Sequence, residues 1–191
     1  MRRFGVLLVF ALVGGAFWYL TRATLDSGSN TSANGPAASK VVLRRGNGPE
    51  PETLDPQLAR SESALNIARD LFEGLTALDG DGNVIPAAAS AWQMSADGRT
   101  YRFTLRTGAR WSNGDALVAA DFVAGWRRLA DPATASEYAQ ILNAVEYARD
   151  ITAGKLSADR LGVEDPDSTT FVVHLNSPTP YMLGLLAHPS I

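Results

Sequence analysis

Side chains capable of acid, base or nucleophilic chemistry are few and scattered in this sequence. The chain of 191 residues has no cysteine and only two histidines, His174 and His188. Without cysteine there is no disulfide, thiolate nucleophile or zinc finger. The two histidines share no helix face, which argues against a zinc site, and no serine lies in the G-x-S-x-G pattern of hydrolase nucleophiles. We therefore expect no catalytic residue, no metal and no cofactor, and we interpret the chain as a binding protein.

One acidic stretch resembles the start of a calcium-binding loop, the pentapeptide DGDGN at 79–83. Calcium loops place Gly at the sixth position and Glu at the twelfth, whereas this chain has Val84 and Ser90 there. The Asp-Gly pairs also supply the backbone freedom that a tight turn needs. We expect a hairpin turn at this position and no metal ion.

Two segments have the periodicity of amphipathic helices. In the first, Ser61 or Ser63 can cap the N-terminus and Gly74 can end the helix. In the second, an Asp-Pro pair at 131–132 ends the helix, since the residue before proline avoids the helical conformation. The apolar positions expected to be buried are Leu65, Ala68, Leu71, Phe72 and Leu75 in the first helix, and Phe122, Trp126 and Leu129 in the second.

Alternating apolar and polar residues predict strands around these helices. A short β-rich run at 40–45 begins the folded region, a hairpin turns at 96–98, and a third hairpin turns at 165–168. The segment 133–154 predicts one long helix or a pair of helices. This succession indicates a mixed α+β fold. The strand residues expected to face its core are Tyr101, Phe103 and Leu105.

The N-terminal segment has the composition of a targeting element. Arg2 and Arg3 precede an uncharged, mostly apolar run at 4–20. We expect residues 1–23 to be a signal peptide or an uncleaved inner-membrane anchor, and the polar stretch 24–39 to be a flexible linker. The basic flank stays in the cytoplasm, so the remainder is expected in the periplasm. A net charge of −3 gives no indication of nucleic-acid binding.

The region 40–191 contains three motifs in order: TLDPQ with NIARDLFEGLTALDGDGNVIPAAASAW, YRFTLRTGARWSNGDALVAADFVAGWRRLADPATASEYA, and TFVVHLNSPTPYMLGLLAHPS. Together they resemble the bacterial extracellular solute-binding proteins of family 5, in the oligopeptide-binding branch. The resemblance implies an α/β (mixed α+β) clamshell of the periplasmic-binding-protein type II class, N-terminal portion only. By this comparison, 40–73 is the first segment of a discontinuous domain I and 74–191 is the small domain II. We expect the chain to stop before the second lobe.

The resemblance also implies a function and a set of binding residues. Members of this branch are periplasmic receptors that bind short peptides in an interdomain cleft and deliver them to the permease subunits of an ABC importer. Tyr138 matches a tyrosine that reaches the peptide main chain, and Arg60, Ser61 and Glu62 match the stretch that faces the cleft. A phenol offers one hydrogen bond and an apolar face that is indifferent to ligand sequence. Alternatively, Tyr138 is a packing residue.

Two positions depart from the pattern of this branch. Arg60 stands at an acidic position, where a cation would repel a peptide amino terminus or attract a carboxylate. Val118 stands where the branch has Thr before the second helix, and a side chain without a cap costs about 1 kcal/mol. Other interpretations are the same fold binding a dipeptide, a cell-wall peptide or a nickel chelate, a fragment with no transport role, or an exported enzyme with an unrecognised site.

Overall fold

Short helices alternate with antiparallel hairpins in the computed structural model, which describes residues 42–191. Residue contacts divide the chain into two units, 1–45 and 46–191, and the elements named here lie in the second. The helices are α1 (Glu62–Leu71), α2 (Ala119–Ala130), α3 (Ala148–Thr152) and α4 (Met182–Leu185). The strands are β1 (Thr76–Leu78), β2 (Val84–Pro86), β3 (Ala89–Met94), β4 (Thr100–Leu105), β5 (Val163–Asp167) and β6 (Thr170–His174).

Strands β3, β4, β6 and β5 form, in that order, an antiparallel sheet. Tyr101, Phe103 and Leu105 on β4 are buried and alternate with exposed residues, as the sequence pattern predicted. Helix α2 lies against β5 and β6, where the rings of Trp126 and Phe171 form a T-shaped pair with 5.0 Å between centroids. Such an aromatic pair adds about 0.5–1.5 kcal/mol beyond the area that it buries. The predicted mixed α+β class is confirmed.

Helix α1 begins where the sequence predicted but ends earlier. Ser61 is the N-cap, and its hydroxyl oxygen accepts the backbone N–H of Ala64 at 3.1 Å. The helix ends at Leu71, because Phe72 takes an extended conformation with φ −120° and ψ 145°. The expected helix end at Gly74 is therefore wrong.

The apolar stripe expected along this helix is buried only in part. Ala68 and Leu75 are fully buried and Leu65 is half-buried, whereas Leu71 and Phe72 are 60% and 41% exposed. The chain leaves the helical path at Phe72, so the helical spacing that placed Phe72 on the buried face no longer applies there. The prediction that Leu71 and Phe72 are core residues is wrong.

The turn before α2 is attached to the helix by one carboxylate. Asp121 Oδ2 accepts the indole N–H of Trp111 at 2.9 Å and the backbone N–H of Val118 at 3.0 Å. Val118 is the N-cap and its side chain has no acceptor, so Asp121 supplies one half of a capping box alone. The helix ends at Ala130, before the Asp-Pro pair at 131–132, as predicted.

Over 133–154 the single long helix is wrong, and the alternative, a pair of helices, is found only as short pieces. This part of the chain forms 3₁₀ turns at Pro132–Thr134 and Ala139–Ala144 and one short α-helix, α3. Ala135 and Tyr147 interrupt any longer helix, since their φ angles of 52° and 65° lie in the left-handed region. The segment therefore wraps the core in short turns.

The third hairpin turns later than predicted. Its strands extend to Asp167 and from Thr170, so the turn lies at 168–169 instead of being centred within 165–168. The register of the strand pair shifts beside Pro166. Proline has no N–H to donate to a ladder and is tolerated at such a bulge.

The strand expected at 40–45 is not found in its described part. Residues 42–45 have no regular structure, and Val42 and Leu43 are 65% and 87% exposed. A strand needs a neighbour to bond its N–H and C=O groups, and residues 42–45 belong to none of the strands in the described part of the chain. The expected targeting element, 1–23, and linker, 24–39, lie outside the described residues.

Nothing in the fold decides the expected domain boundary between 73 and 74, which stays a prediction. In the part of the chain from 42 onward, no helix is both long enough and apolar enough to cross a membrane.

Candidate functional site

The loop that carries the LDPQ residues at 54–57, here called the LDPQ loop, is fixed to helix α2. Asp55 accepts two hydrogen bonds from the Arg128 guanidinium, at 3.1 Å from Nη1 and 2.5 Å from Nη2. Gln57 accepts another from Arg128 Nη1 at 2.7 Å and donates to the Gly125 carbonyl oxygen at 2.8 Å. The hydrogen bonds from Arg128 hold the pKa of Asp55 below its usual range. Charge-assisted, bidentate hydrogen bonding between an arginine and a carboxylate gives the loop a defined geometry.

Two serine hydroxyls attach further segments to the same loop. Ser136 Oγ donates to the carbonyl oxygen of Gln57 at 2.6 Å, and Ser190 Oγ donates to that of Pro56 at 2.8 Å. Ser136 Oγ also accepts the backbone N–H of Tyr138 at 3.2 Å. The LDPQ loop and the Tyr138 backbone are therefore positioned by a shared set of hydrogen bonds.

Arg60 follows this loop and forms an ion pair with Glu137. The distance from Arg60 Nη1 to Glu137 Oε1 is 3.3 Å, and the two side chains are 58% and 62% exposed. Glu137 directly precedes Tyr138 in the chain. The ion pair thus brings two of the sequence-predicted site residues, Arg60 and Tyr138, to one region of the surface. Their part in binding stays a prediction.

Ser61 is held by a carboxylate that the sequence did not point to. Glu52 Oε1 accepts the backbone N–H groups of Arg60 at 2.5 Å and Ser61 at 2.9 Å, and Glu52 Oε2 accepts the Ser61 hydroxyl. These bonds, the Ser61 hydroxyl first, lower the pKa of Glu52 to about 2. The backbone N–H groups of Arg60 and Ser61 are therefore already bonded to Glu52. The third residue of the predicted stretch, Glu62, is exposed in the first turn of α1.

Tyr138 is half-buried, and its ring lies against His188 with 4.8 Å between ring centroids. Its side chain packs on the edge of the hydrophobic core. Burial, followed by the charge of Arg69, lowers the pKa of His188, so at pH 7 the imidazole is a neutral support for the phenol ring. The phenol hydroxyl makes no hydrogen bond to any of the residues 42–191. Packing and ligand contact are thus compatible in this side chain.

We call Arg60, Ser61, Glu62, Glu137 and Tyr138 the candidate binding surface. Sequence reasoning missed Glu137 and, beside the surface, Glu52 and His188. The only signal for Glu137 was its position next to Tyr138. Glu52 lies too far from Ser61 in sequence to form a recognisable capping motif.

A groove of about 510 Å³ borders the LDPQ loop but is not lined by the candidate binding surface. Its apolar lining includes the exposed side chains of Leu71, Phe72 and Trp111. Its charged lining includes Arg106, whose Nη2 lies 2.7 Å from Glu73 Oε2. This groove and the candidate binding surface therefore lie in different places.

Neither the histidines nor the acidic hairpin forms a metal centre in the described part of the chain. No cluster of three or more His, Asp or Glu side chains within 42–191 could hold a metal ion. His174 Nε2 lies 3.4 Å from Glu164 Oε1. His188 lies against the ring of Tyr138 instead. The carboxylate of Asp79 accepts the backbone N–H groups of Asp81 and Asn83 at 2.9 Å and 2.8 Å. The DGDGN stretch is thus the hairpin turn between β1 and β2 that the sequence predicted.

Comparison with known proteins decides the family. The model of the bacterial extracellular solute-binding proteins, family 5 Middle, matches residues 83–191. The chain belongs to this family. Its members bind solutes, and the oligopeptide-binding branch is supported by the periplasmic oligopeptide-binding protein OppA of Haemophilus influenzae. That protein is 46% identical over 147 residues, which are 76% of this chain and 27% of the relative.

A second relative is named for a different ligand. The probable deoxycholate-binding periplasmic protein YgiS of Escherichia coli is 42% identical over 165 residues, 85% of this chain and 31% of that protein. Among solved structures, Haemophilus influenzae OppA in complex with RPPGFSPFR matches with a TM-score of 0.73 and 46% identity, over 75% of this chain and 28% of that one. The fold predicted from the motifs, that of periplasmic peptide-binding proteins, is confirmed. The chain spans less than a third of the length of these relatives.

Proposed function

We propose that this family 5 chain is part of a periplasmic receptor that binds short peptides and delivers them to an ABC importer. The observation that carries the proposal is the structural match, at 46% identity, to OppA in complex with RPPGFSPFR. In this proposal 40–73 belongs to the first segment of domain I and 74–191 is domain II. Residues 1–23 direct export, as a cleaved signal peptide or an anchor to the inner membrane. The chain has no catalytic role.

The geometry of the candidate binding surface supports an extended peptide as the ligand. Tyr138 presents a half-buried ring and a hydroxyl without a hydrogen bond among the described residues. A phenol of this kind can bond one main-chain group and contact any side chain through its ring. Recognition through the main chain gives affinity without dependence on ligand sequence.

Calorimetric titration tests the proposal. The protein encoded by the whole open reading frame that contains these residues is titrated with a set of short peptides, and separately with deoxycholate. Saturable heat with peptides supports the proposal. Heat with deoxycholate alone would contradict it and favour the ligand for which the Escherichia coli relative is named.

A matched pair of variants tests the role of Tyr138. Tyr138→Phe removes only the hydroxyl, so we expect peptide affinity to fall about twofold to tenfold, which corresponds to one hydrogen bond. Tyr181→Phe is the control, since this exposed tyrosine lies outside the candidate binding surface. Equal affinities for both variants would assign Tyr138 to packing alone.

A further inference from the structure

The candidate binding surface carries an ion pair between two elements that are distant in sequence. Arg60 precedes α1, while Glu137 lies in the turns that follow α2. Their charged atoms are 3.3 Å apart, and each side chain is more than half exposed. No hydrogen bond from either side chain to a third described group accompanies the pair.

Stability does not account for such a pair. Ion pairs between exposed side chains contribute little, because water screens the charges and two long side chains must be ordered. The LDPQ loop already has strong attachments through Asp55 and Gln57, which do not involve Arg60. The consequence of the pair is electrostatic: beside Tyr138, one positive and one negative charge compensate each other.

We propose that Arg60 and Glu137 form a charge-compensating pair that lets the site accept both acidic and basic peptides. Arg60 alone would attract acidic ligand side chains and repel basic ones, and Glu137 alone would do the reverse. Paired, they present no net charge to the ligand side chain nearest to Tyr138. Glu137 is thereby a specificity-determining residue. The proposal rests on the peptide-binding function proposed above.

Charge-selective peptides and single-charge variants test the pair. The protein from the whole open reading frame is titrated with tripeptides that carry Lys or Glu at one position and Ala elsewhere, the charged residue being moved through all positions. The quantity compared is the ratio of the Kd for the Glu peptide to the Kd for the Lys peptide. Glu52 and Glu62 contribute equally to every variant, so their charges cancel in this comparison.

Opposite changes are expected from the two single variants. With Arg60→Gln, the unpaired Glu137 should favour the Lys peptide by about threefold to tenfold at one ligand position, the effect of a unit charge a few ångströms away. With Glu137→Gln, the unpaired Arg60 should favour the Glu peptide by a similar factor. The double variant R60E/E137R should restore a ratio near that of the unchanged protein. These shifts should shrink as salt rises from about 0.05 M to about 1 M.

The control pair is Lys155 and Asp150, another exposed ion pair, with 3.3 Å between its charged atoms. Lys155→Gln and Asp150→Asn should leave the ratio unchanged. If Arg60→Gln and Glu137→Gln shift the ratio in the same direction or not at all while peptides still bind, charge compensation is wrong and the function stands. If the unchanged protein binds no tripeptide or longer peptide, the proposed function and this inference both fail.

Discussion

The carboxylate of Glu52 organises the residues that lead into α1. It bonds the main chain of Arg60 and Ser61 and the hydroxyl that caps the helix. All of these donors favour the ionised form, which is why the pKa of Glu52 falls to about 2. An exposed acid thus fixes the conformation of two residues in the candidate binding surface.

Glu52→Gln should change how stability depends on pH. Because the pKa is lower in the folded protein, the stabilising effect is fully present above the unfolded value of 4.5 and is lost as pH falls toward about 2. The variant cannot titrate, so its Tm should fall less between these pH values than that of the unchanged chain. Thermal unfolding at a series of pH values measures this difference.

Glu50→Gln is the matched control for that experiment. Glu50 is exposed on the same loop, and its substitution by Gln also removes one carboxylate. Its pH profile should follow that of the unchanged chain between pH 2 and 4.5. If both variants flatten the profile equally, the effect belongs to net charge and the specific role of Glu52 is wrong.

At the scale of elements, a close backbone approach explains the glycine at position 74, shortly after α1. A Cβ at this position would lie 2.5 Å from the carbonyl oxygen of Leu186, just after α4. The backbone at Gly74 therefore passes so close to the backbone at Leu186 that no Cβ has room there. We expect Gly74→Ala to lower the free energy of unfolding by about 1–3 kcal/mol, the usual range for overpacking. Urea denaturation measures the change.

Gly125→Ala provides the comparison for this prediction. Gly125 lies within α2, and a Cβ there would meet nothing within 4 Å. Since alanine has the better helix propensity, this variant should equal the unchanged chain or exceed its stability by up to about 1 kcal/mol. A Gly74→Ala protein as stable as Gly125→Ala would show that the backbone at Leu186 moves aside freely.

Elements with strong local signals were predictable from sequence. The alternation in β4 and a serine cap at 61 or 63 are local properties, and the structure confirms both, with Ser61 as the cap. The left-handed backbone at Ala135 and Tyr147 has no local signal, since neither residue type favours it. One long helix or a pair of helices was predicted over this segment, whereas tertiary contacts override local helix propensity and fix the observed turns.

The candidate site was predictable only where the family motif names a position. Arg60 and Tyr138 came from the resemblance, and the structure places them on one surface. Glu52 and Glu137 act through contacts with residues that fold next to them. Such pairings depend on the tertiary path of the chain, so sequence patterns alone did not reveal them.

At the scale of the whole unit, the LDPQ loop connects regions that are distant in sequence. Asp55→Asn should weaken the bonds with Arg128 and lower the free energy of unfolding by about 1–2 kcal/mol, because hydrogen bonds to charged groups are strong but Arg128 is 48% exposed. Tryptophan fluorescence and far-UV circular dichroism should report the same shifted urea midpoint.

Asp150→Asn serves as the control, since the pair of Asp150 with Lys155 is more exposed. It should change the free energy of unfolding by no more than about 0.5 kcal/mol. If fluorescence and circular dichroism give different midpoints for Asp55→Asn, the loop and the sheet unfold separately and the connecting role of the loop is wrong.

The order of strands in the sheet has a consequence for the timing of folding. Strand β4 can pair with its neighbour β3 as soon as both are synthesised, whereas its other partner, β6, follows only after the intervening helices and turns. Closing so long a loop is slow, and the centre of the sheet waits for it. During synthesis the chain therefore remains open until β6 has emerged. A chain that completes its sheet late stays unfolded for longer, and in the exported receptor proposed above this would leave more time for the chain to cross the membrane before it folds.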